Sequence, residues 1–446
     1  MKILIKLFSV FYLVTCFLSL QAQQISDRCG FNQVLEYQNS INSTYKESAN
    51  NVYRNYLNNA NSTTQSSKKT PVTYTIPVVF HVVWNSSTPA QNIPDSVLFE
   101  QINVLNEDYS RTNLDTSNLR PEFLPIVGSA DIQFQLACRD TNGNFTTGIV
   151  RTETSTTFGG GFFPDMASIG KIQQASQGGS DPWRPAEYLN IWIGDINGGA
   201  ASPSLLGVAT PPVGLSNWPA GSVPAELQDG AIIQYNAFSR NNPNPFPGGM
   251  IVNGRTVTHE VGHYLGTRHC AENTFGGLLG SICGDDDGLN DTPNCDQSAQ
   301  GCDIARNSCT DTIPGIGDLP DMVENYMDYS DQDCQNSFTQ GQITIMRNVL
   351  DNERAGLLSS QGVVCPTTVE ENNFENSISI YPNPTQGIIN IESDDTNFKL
   401  TVYNNLGQEI IPNFLSKTQV QLPTKGIYFL KFSSENETLV KKVVNQ

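Results

Sequence analysis

The stretch His259-Glu260-Val261-Gly262-His263-Tyr264-Leu265-Gly266-Thr267-Arg268-His269 decides how the rest of the chain is read. Residues four apart on an α-helix stand above one another on one face, so His259 and His263 can aim two imidazoles at a single ion. Gly266, three residues further on, lets the helix end and the backbone turn, which allows His269 to reach the same ion from another side. Three neutral imidazoles are the open ligand set of a catalytic zinc, with the fourth tetrahedral position left to water. Glu260 lies on the neighbouring side of the helix, placed to take a proton from that water. The chain has 4 histidines and three of them fall in this stretch, which argues against an amphipathic helix with incidental histidines.

Before this motif, the chain begins like an exported protein. Met1-Lys2 and Lys6 supply positive charge, residues 7–20 are almost wholly apolar, and Ala22 offers a small-residue cleavage point, so residues 1–22 read as a signal peptide. Thr15 and Phe17 flank Cys16 poorly for a lipoprotein box, and lipidation is set aside. No later apolar run approaches the roughly 18 residues that span a bilayer, so no membrane span is expected in the mature form. With 25 basic and 44 acidic residues the net charge is −19, which argues against nucleic acid and anionic membranes as partners and suits cationic peptides or divalent cations.

Residues 23–72 are polar and carry too few apolar side chains (Val34, Leu35, Tyr45, Val52, Tyr53, Leu57) to build a core of their own, as expected of a pro-segment. The folded domain, 73–365, should open with the buried strand Thr75 to Trp84, in which His81 is expected to be a core histidine. A helix starting at Pro94-Asp95-Ser96 keeps Leu98, Ile102, Leu105 and Tyr109 on one stripe. Further strands are expected at Asp131 to Cys138, Tyr188 to Ile193 and Ala231 to Tyr235, with long surface loops across 157–185. Leu206 to Thr210 reads as a short edge strand, on which an extended peptide could pair. This order predicts an α/β (α+β) domain with a twisted mixed sheet and two long helices.

The extended histidine motif resembles that of the metzincin metallopeptidases. Asn325-Tyr326-Met327-Asp328-Tyr329 is similar to their methionine turn, with Met327 as an apolar floor beneath the histidines and Tyr329 as a hydrogen-bond donor to the developing oxyanion. The separation of 58 positions between His269 and Met327 (327 − 269) is filled by an acidic loop, Cys283 to Pro293. Together with the opening strand, this resembles the pappalysin family, and its ulilysin-like bacterial and archaeal members most of all. The resemblance implies calcium at Asp287 and Thr292, disulfides pairing Cys283 with Cys309 and Cys302 with Cys334, and a buried carboxylate, Asp333, that favours arginine or lysine after the scissile bond. Self-cleavage near Arg54 or Lys68-Lys69 would then release the pro-segment.

Arg28-Cys29-Gly30 is similar to the thiol latch by which several metzincin pro-segments fill the open zinc position; pairing of Cys29 with another cysteine is the other reading. Setting aside Cys16 and Cys29 leaves eight cysteines, an even number, of which the resemblance leaves Cys270 and Cys295 unexplained.

After Cys365 the composition shifts. Residues 366–376 read as a linker, and 377–446 hold five strand-like runs separated by turn signals, which predicts a small all-β sandwich. Tyr381-Pro382-Asn383-Pro384-Thr385, Gly426-Ile427-Tyr428 and Lys441-Lys442-Val443-Val444 resemble the sorting domain of type nine secretion cargo, implying outer-membrane secretion machinery as partner and a secreted or cell-surface location. The expected function is a zinc-dependent endopeptidase made as a latent precursor; the alternative is a non-catalytic surface adhesin with a structural metal site.

Overall fold

The computed structural model describes residues 28–62, 72–160, 164–201, 203–214, 227–271, 283–284, 286–365, 378–393, 398–416, 418–433 and 438–446. The signal peptide, Lys68-Lys69 and the linker at 366–376 lie outside them. The chain divides into two compact units, Met1–Cys365 and Pro366–Gln446.

In the first unit the polar stretch forms two helices, α1 (Phe31–Ile41) and α2 (Tyr45–Ser62). Their apolar residues recur at helical spacing, with Phe31, Val34 and Leu35 buried on α1 and Tyr45, Ala49, Val52 and Tyr53 on α2. These residues are too few to form a core and instead pack on the domain that follows: Val34 joins Trp192 and Val208, and Tyr53 joins Ile345 and Val349.

That domain is built on β1 (Tyr74–Asn85), followed by α3 (Asp95–Ser110), β2 (Ile132–Leu136), β3 (Ile149–Thr154), β4 (Leu189–Gly194), β5 (Gly207–Ala209), β6 (Ala231–Gln234), α4 (Arg255–Tyr264) and α5 (Gln340–Asp351). One edge of β1 pairs in parallel first with β2 (Tyr74 opposite Ile132) and then with β3 (Phe80 opposite Ile149). Its other edge pairs in parallel with β4, which pairs with β6, and antiparallel β5 closes the sheet (Val208 opposite Ile232).

β1 is a continuous apolar run because both faces of the sheet are covered. Ile76, Val78, Phe80 and Val82 meet Leu98, Leu105, Val257 and Val261 of α3 and α4, while Val83 meets Trp192 and Ile232 on the opposite face. His81 is fully buried there, with Nδ1 2.8 Å from Ser180 Oγ, Nε2 2.9 Å from Asn190 Oδ1, and its ring stacked on Trp192. β3 escapes sequence reading because its residues stay half-exposed and polar-rich, and the loops at 157–185 contain a short helix, Met166–Gly170, capped by Asp165.

Disulfides join Cys138 to Cys365, Cys283 to Cys309 and Cys302 to Cys334. The even set of eight cysteines does not pair completely: Cys270 and Cys295 are buried free thiols in the main apolar cluster, where they pack as small hydrophobes.

Among its described residues the second unit has eight strands: β7 (Ile378–Tyr381), β8 (Ile388–Ser393), β9 (Lys399–Asn404), β10 (Glu409–Ile410), β11 (Asn413–Phe414), β12 (Gln419–Gln421), β13 (Gly426–Ser433) and β14 (Thr438–Asn445). They form two antiparallel four-stranded sheets, ordered β11-β12-β8-β7 and β10-β9-β13-β14, around Ile389, Ile391, Val402, Leu430, Phe432 and Val443. The two-residue β10 and β11 are too short to show a period of two.

Candidate active site

Every residue of α4 is buried, so the histidine motif lies inside the molecule against β5 and the Met327 turn. The helix ends where Gly266 adopts φ +95°. Gly266 N donates to His263 O and Thr267 N to Gly262 O, the paired bonds of a Schellman end, and the reversal brings His269 back over the helix. Gly262 carries no signal in the sequence that marks it as part of the site. A Cβ there would lie 2.6 Å from Met327 Sδ, so only glycine admits the methionine beneath the histidines.

His263 Nε2 lies 3.1 Å from His259 Nε2 and 3.0 Å from His269 Nε2. His259 Nδ1 is 2.7 Å from the Tyr326 carbonyl and His263 Nδ1 2.9 Å from that of Thr267. A carbonyl can only accept, so both Nδ1 atoms carry the proton and both Nε2 atoms present lone pairs. Burial holds His259 down to about 4 and pushes His263 and His269 well below the usual histidine range, so all three rings are neutral near pH 7. Buried lone pairs aimed at one another are repulsive without a cation between them. Tetrahedral zinc with Zn–N bonds of ~2.05 Å holds its nitrogens ~3.3 Å apart, so this donor set fits that ion.

Behind the histidines, Asp108 of α3 accepts from Tyr326 Oη and Thr258 Oγ1, both at 2.8 Å, and lies 3.7 Å from Arg255. Burial raises its pKa to about 6 against the pull of Arg255. This carboxylate ties the turn that holds His259 to α4, and an aspartate on a helix gave no sequence signal for that role.

Glu260 is 1% exposed, and its side chain packs against β5: a Cβ on Gly207 would lie 2.8 Å from Glu260 Oε1. Tyr329 is buried, with its ring centroid 5.0 Å from that of His269. Cys29 completes a cluster with the three histidines in which one ligand atom from each lies within 4.8 Å of all the others. Its Sγ donates to Glu260 Oε2 at 3.5 Å, Tyr329 Oη donates to its carbonyl at 3.5 Å, and Phe31 stacks on the His263 ring at 4.2 Å. Leu206 N donates to Arg28 O and Gly30 N to Gly207 O, so residues 28–30 add to the free edge of the sheet at β5. With them in place the cavity beside the histidines has about 40 Å³, room for a few waters and not for a substrate side chain.

Asp333 is exposed beside the Cys302–Cys334 disulfide and does not line this cavity, contrary to the expected buried carboxylate. The buried carboxylates in the lining are Glu260 and Asp328. Asp287 and Thr292 are both buried in the acidic loop. Among the described residues Asp287 Oδ2 and the neighbouring Asp291 Oδ1 are buried with no hydrogen-bond partner, and burial pushes Asp287 well above the usual carboxylate range. Orphaned hard oxygens of this kind fit a divalent cation.

Residues 174–351 match the pregnancy-associated plasma protein-A peptidase family, and 379–446 match the secretion system C-terminal sorting domain. The chain is 32% identical over 288 residues to an extracellular metalloprotease of Uncinocarpus reesii, covering 64% of this chain and 78% of that one. The chain belongs to the pappalysin family of metalloproteases. As a pappalysin it is a zinc metalloendopeptidase, and the adhesin alternative falls away.

Tannerella forsythia mature mirolysin in complex with a cleaved peptide is 36% identical and superposes with a TM-score of 0.53, over 65% of this chain and 96% of that one. A promirolysin mutant from the same organism is 34% identical, with a TM-score of 0.57, over 74% and 97%. This pappalysin therefore shares its mixed-sheet fold with mirolysin. Its sorting domain marks it for export, and among the described residues no helix is long and apolar enough to cross a membrane.

Proposed function

We propose that this pappalysin is a latent endopeptidase precursor in which His259, His263 and His269 hold the catalytic zinc and Cys29 blocks it. Zinc, when bound, lowers the pKa of a water molecule toward neutrality and polarises the scissile carbonyl. Glu260 takes the proton of the attacking water and hands it to the leaving amine. Tyr329 donates to the oxyanion once Cys29 has withdrawn, since its hydroxyl now meets the Cys29 carbonyl.

The observation that carries latency is the position of Cys29, in one cluster with the three histidines and in reach of Glu260. The chain also matches promirolysin over 9% more of its length than mature mirolysin (74 − 65), about 40 residues, close to the span of α1 and α2. Calcium in the loop of Asp287, Asp291 and Thr292, release of the pro-segment by self-cleavage and a preference for a basic residue after the scissile bond complete the reading. The sorting domain delivers the enzyme through the outer-membrane secretion machinery.

Incubating the full precursor with and without a zinc chelator, then sequencing the N-terminus of each fragment, tests it. New N-termini should form only without chelator and never in Glu260→Ala. Fragments from folded Glu260→Ala at the wild-type rate would remove Glu260 from the chemistry.

A further inference from the structure

A second cavity, of about 160 Å³, shares no lining residue with the one beside the histidines. Three parallel strands end at it: β1 at Asn85, β3 at Thr154, which stands opposite Asn85, and β4 at Gly194, just before Asp195. From β1 the chain first builds one side of the sheet, β2 and β3, and then crosses to the other side for β4. The cavity therefore lies beyond the carboxyl ends of the strands where the winding reverses, and there the diverging connections leave a crevice in which α/β sheets bind ligands. At roughly 15 Å³ for each water centre, the space holds about ten waters, or a ligand of about as many non-hydrogen atoms.

Its wall decides the chemistry. Asn85 N donates to Gln91 Oε1 at 2.9 Å and Ser87 N to Asn85 Oδ1 at 2.8 Å, so each amide is held by its oxygen. Neither Gln91 Nε2 nor Asn85 Nδ2 has an acceptor among the described residues. Asn197 N and Gly199 N donate to the two oxygens of Asp195 at 3.0 and 2.8 Å, which fixes the carboxylate and leaves each oxygen a further lone pair. Thr88, Thr156 and Thr157 add hydroxyls, and Val83 and Phe158 add apolar surface. Among the described residues the lining holds no lysine, arginine or histidine, so an anion finds no counter-charge. An ammonium or guanidinium group would pair with Asp195 but face the two amide NH2 groups donor to donor. The whole wall is satisfied by a neutral ligand whose hydroxyls donate to the carboxylate and accept from the amides.

We propose that this cavity is a carbohydrate site that takes one neutral sugar residue, with Asp195 as the acceptor and Asn85 and Gln91 as the donors that fix it. It gives the exported enzyme a hold on a glycan that is separate from its zinc centre and does not depend on the proteolytic reading above. A glycan carried by a protein substrate and a neutral polysaccharide of a cell surface offer the same chemistry.

The test titrates the full-length precursor with methyl mannoside, methyl galactoside, N-acetylglucosamine and glucuronate at tens of millimolar, read by saturation-transfer NMR, as wild type, Asp195→Asn and Gln91→Glu. Both substitutions keep the shape of the side chain, Gln91→Glu still accepts from Asn85 N, and an unchanged Tm shows that each variant folds. At least one neutral sugar should bind with a millimolar Kd, each substitution should weaken it about tenfold or more, and glucuronate should give no signal. The matured enzyme then separates the two sources. A KM for a glycoprotein substrate that rises severalfold on enzymatic deglycosylation, in wild type but not in Asp195→Asn, assigns the site to substrate glycans. Retention on mannan or galactan beads that Asp195→Asn loses assigns it to a surface polysaccharide. Silence of all three neutral sugars overturns the proposal, as does binding that both variants retain or glucuronate bound as tightly as the neutral sugars.

Discussion

Gly207 shows how far a single position can carry catalytic geometry. Its missing side chain leaves the space in which Glu260 lies, with a hypothetical Cβ 2.7 Å from Glu260 Cγ. Gly207→Ala should displace Glu260, the proposed general base, by a fraction of an ångström or more and lower kcat/KM on the order of 100-fold, with zinc content unchanged. Kinetics within threefold of wild type would show that the strand gives way instead. His81 makes a prediction of another kind. Burial lowers its pKa from 6.5 to about 4, so the folded state resists protonation that the unfolded chain accepts. Its contribution to stability is therefore complete above pH 6.5 and is lost as the pH falls toward 4, by up to about 3 kcal/mol. His81→Gln should flatten unfolding free energy against pH in that window, and an unchanged slope would exclude His81 as the source.

At the scale of elements, the end of α4 and the grip of α2 matter most. Gly266→Ala forces a Cβ into φ +95° and to within 2.9 Å of Val349 Cγ2. Strain of about 1–2 kcal/mol plus the clash should lower Tm by several degrees and loosen His269, so zinc content after dialysis should fall with it. Full zinc occupancy and an unshifted Tm would show that the turn tolerates a side chain. α2 holds the acidic loop through its main chain: Tyr53 Oη donates to the Asp287 carbonyl, Asn61 Nδ2 donates to Gly288 O at 2.9 Å, and Asn290 N donates to Asn61 Oδ1 at 2.9 Å. Removing calcium with a selective chelator should lower the Tm of the precursor, and restoring it to about 100 times its Kd should return about 2.7 kcal/mol. Asp287→Ala should abolish that response. The sign with pH follows from the raised pKa of Asp287: without calcium its ionised form costs stability as the pH rises, so the calcium-dependent gain should grow in the same direction. A Tm indifferent to millimolar calcium would refute a cation in this loop.

Across the whole molecule, the sequence by itself determined whatever rests on short-range spacing. The helical turn from His259 to His263, the glycine that ends the helix before His269, the buried run of β1 and the apolar stripe of α3 are each written within a dozen residues, where helix and strand periods are directly visible. The tertiary structure decided what depends on segments distant in the chain. It placed Asp108 behind Tyr326, set Gly207 against Glu260 and Gly262 above Met327, and left Asp333 in solvent while putting Asp328 in the cavity wall. It also laid a polar stretch, unable to form a core alone, onto the sheet edge with Arg28 and Cys29 in the active site. Spacing along a chain fixes which side chains share a face of one element. Which faces meet is settled by burial over hundreds of residues, and most of this site lies where such faces meet.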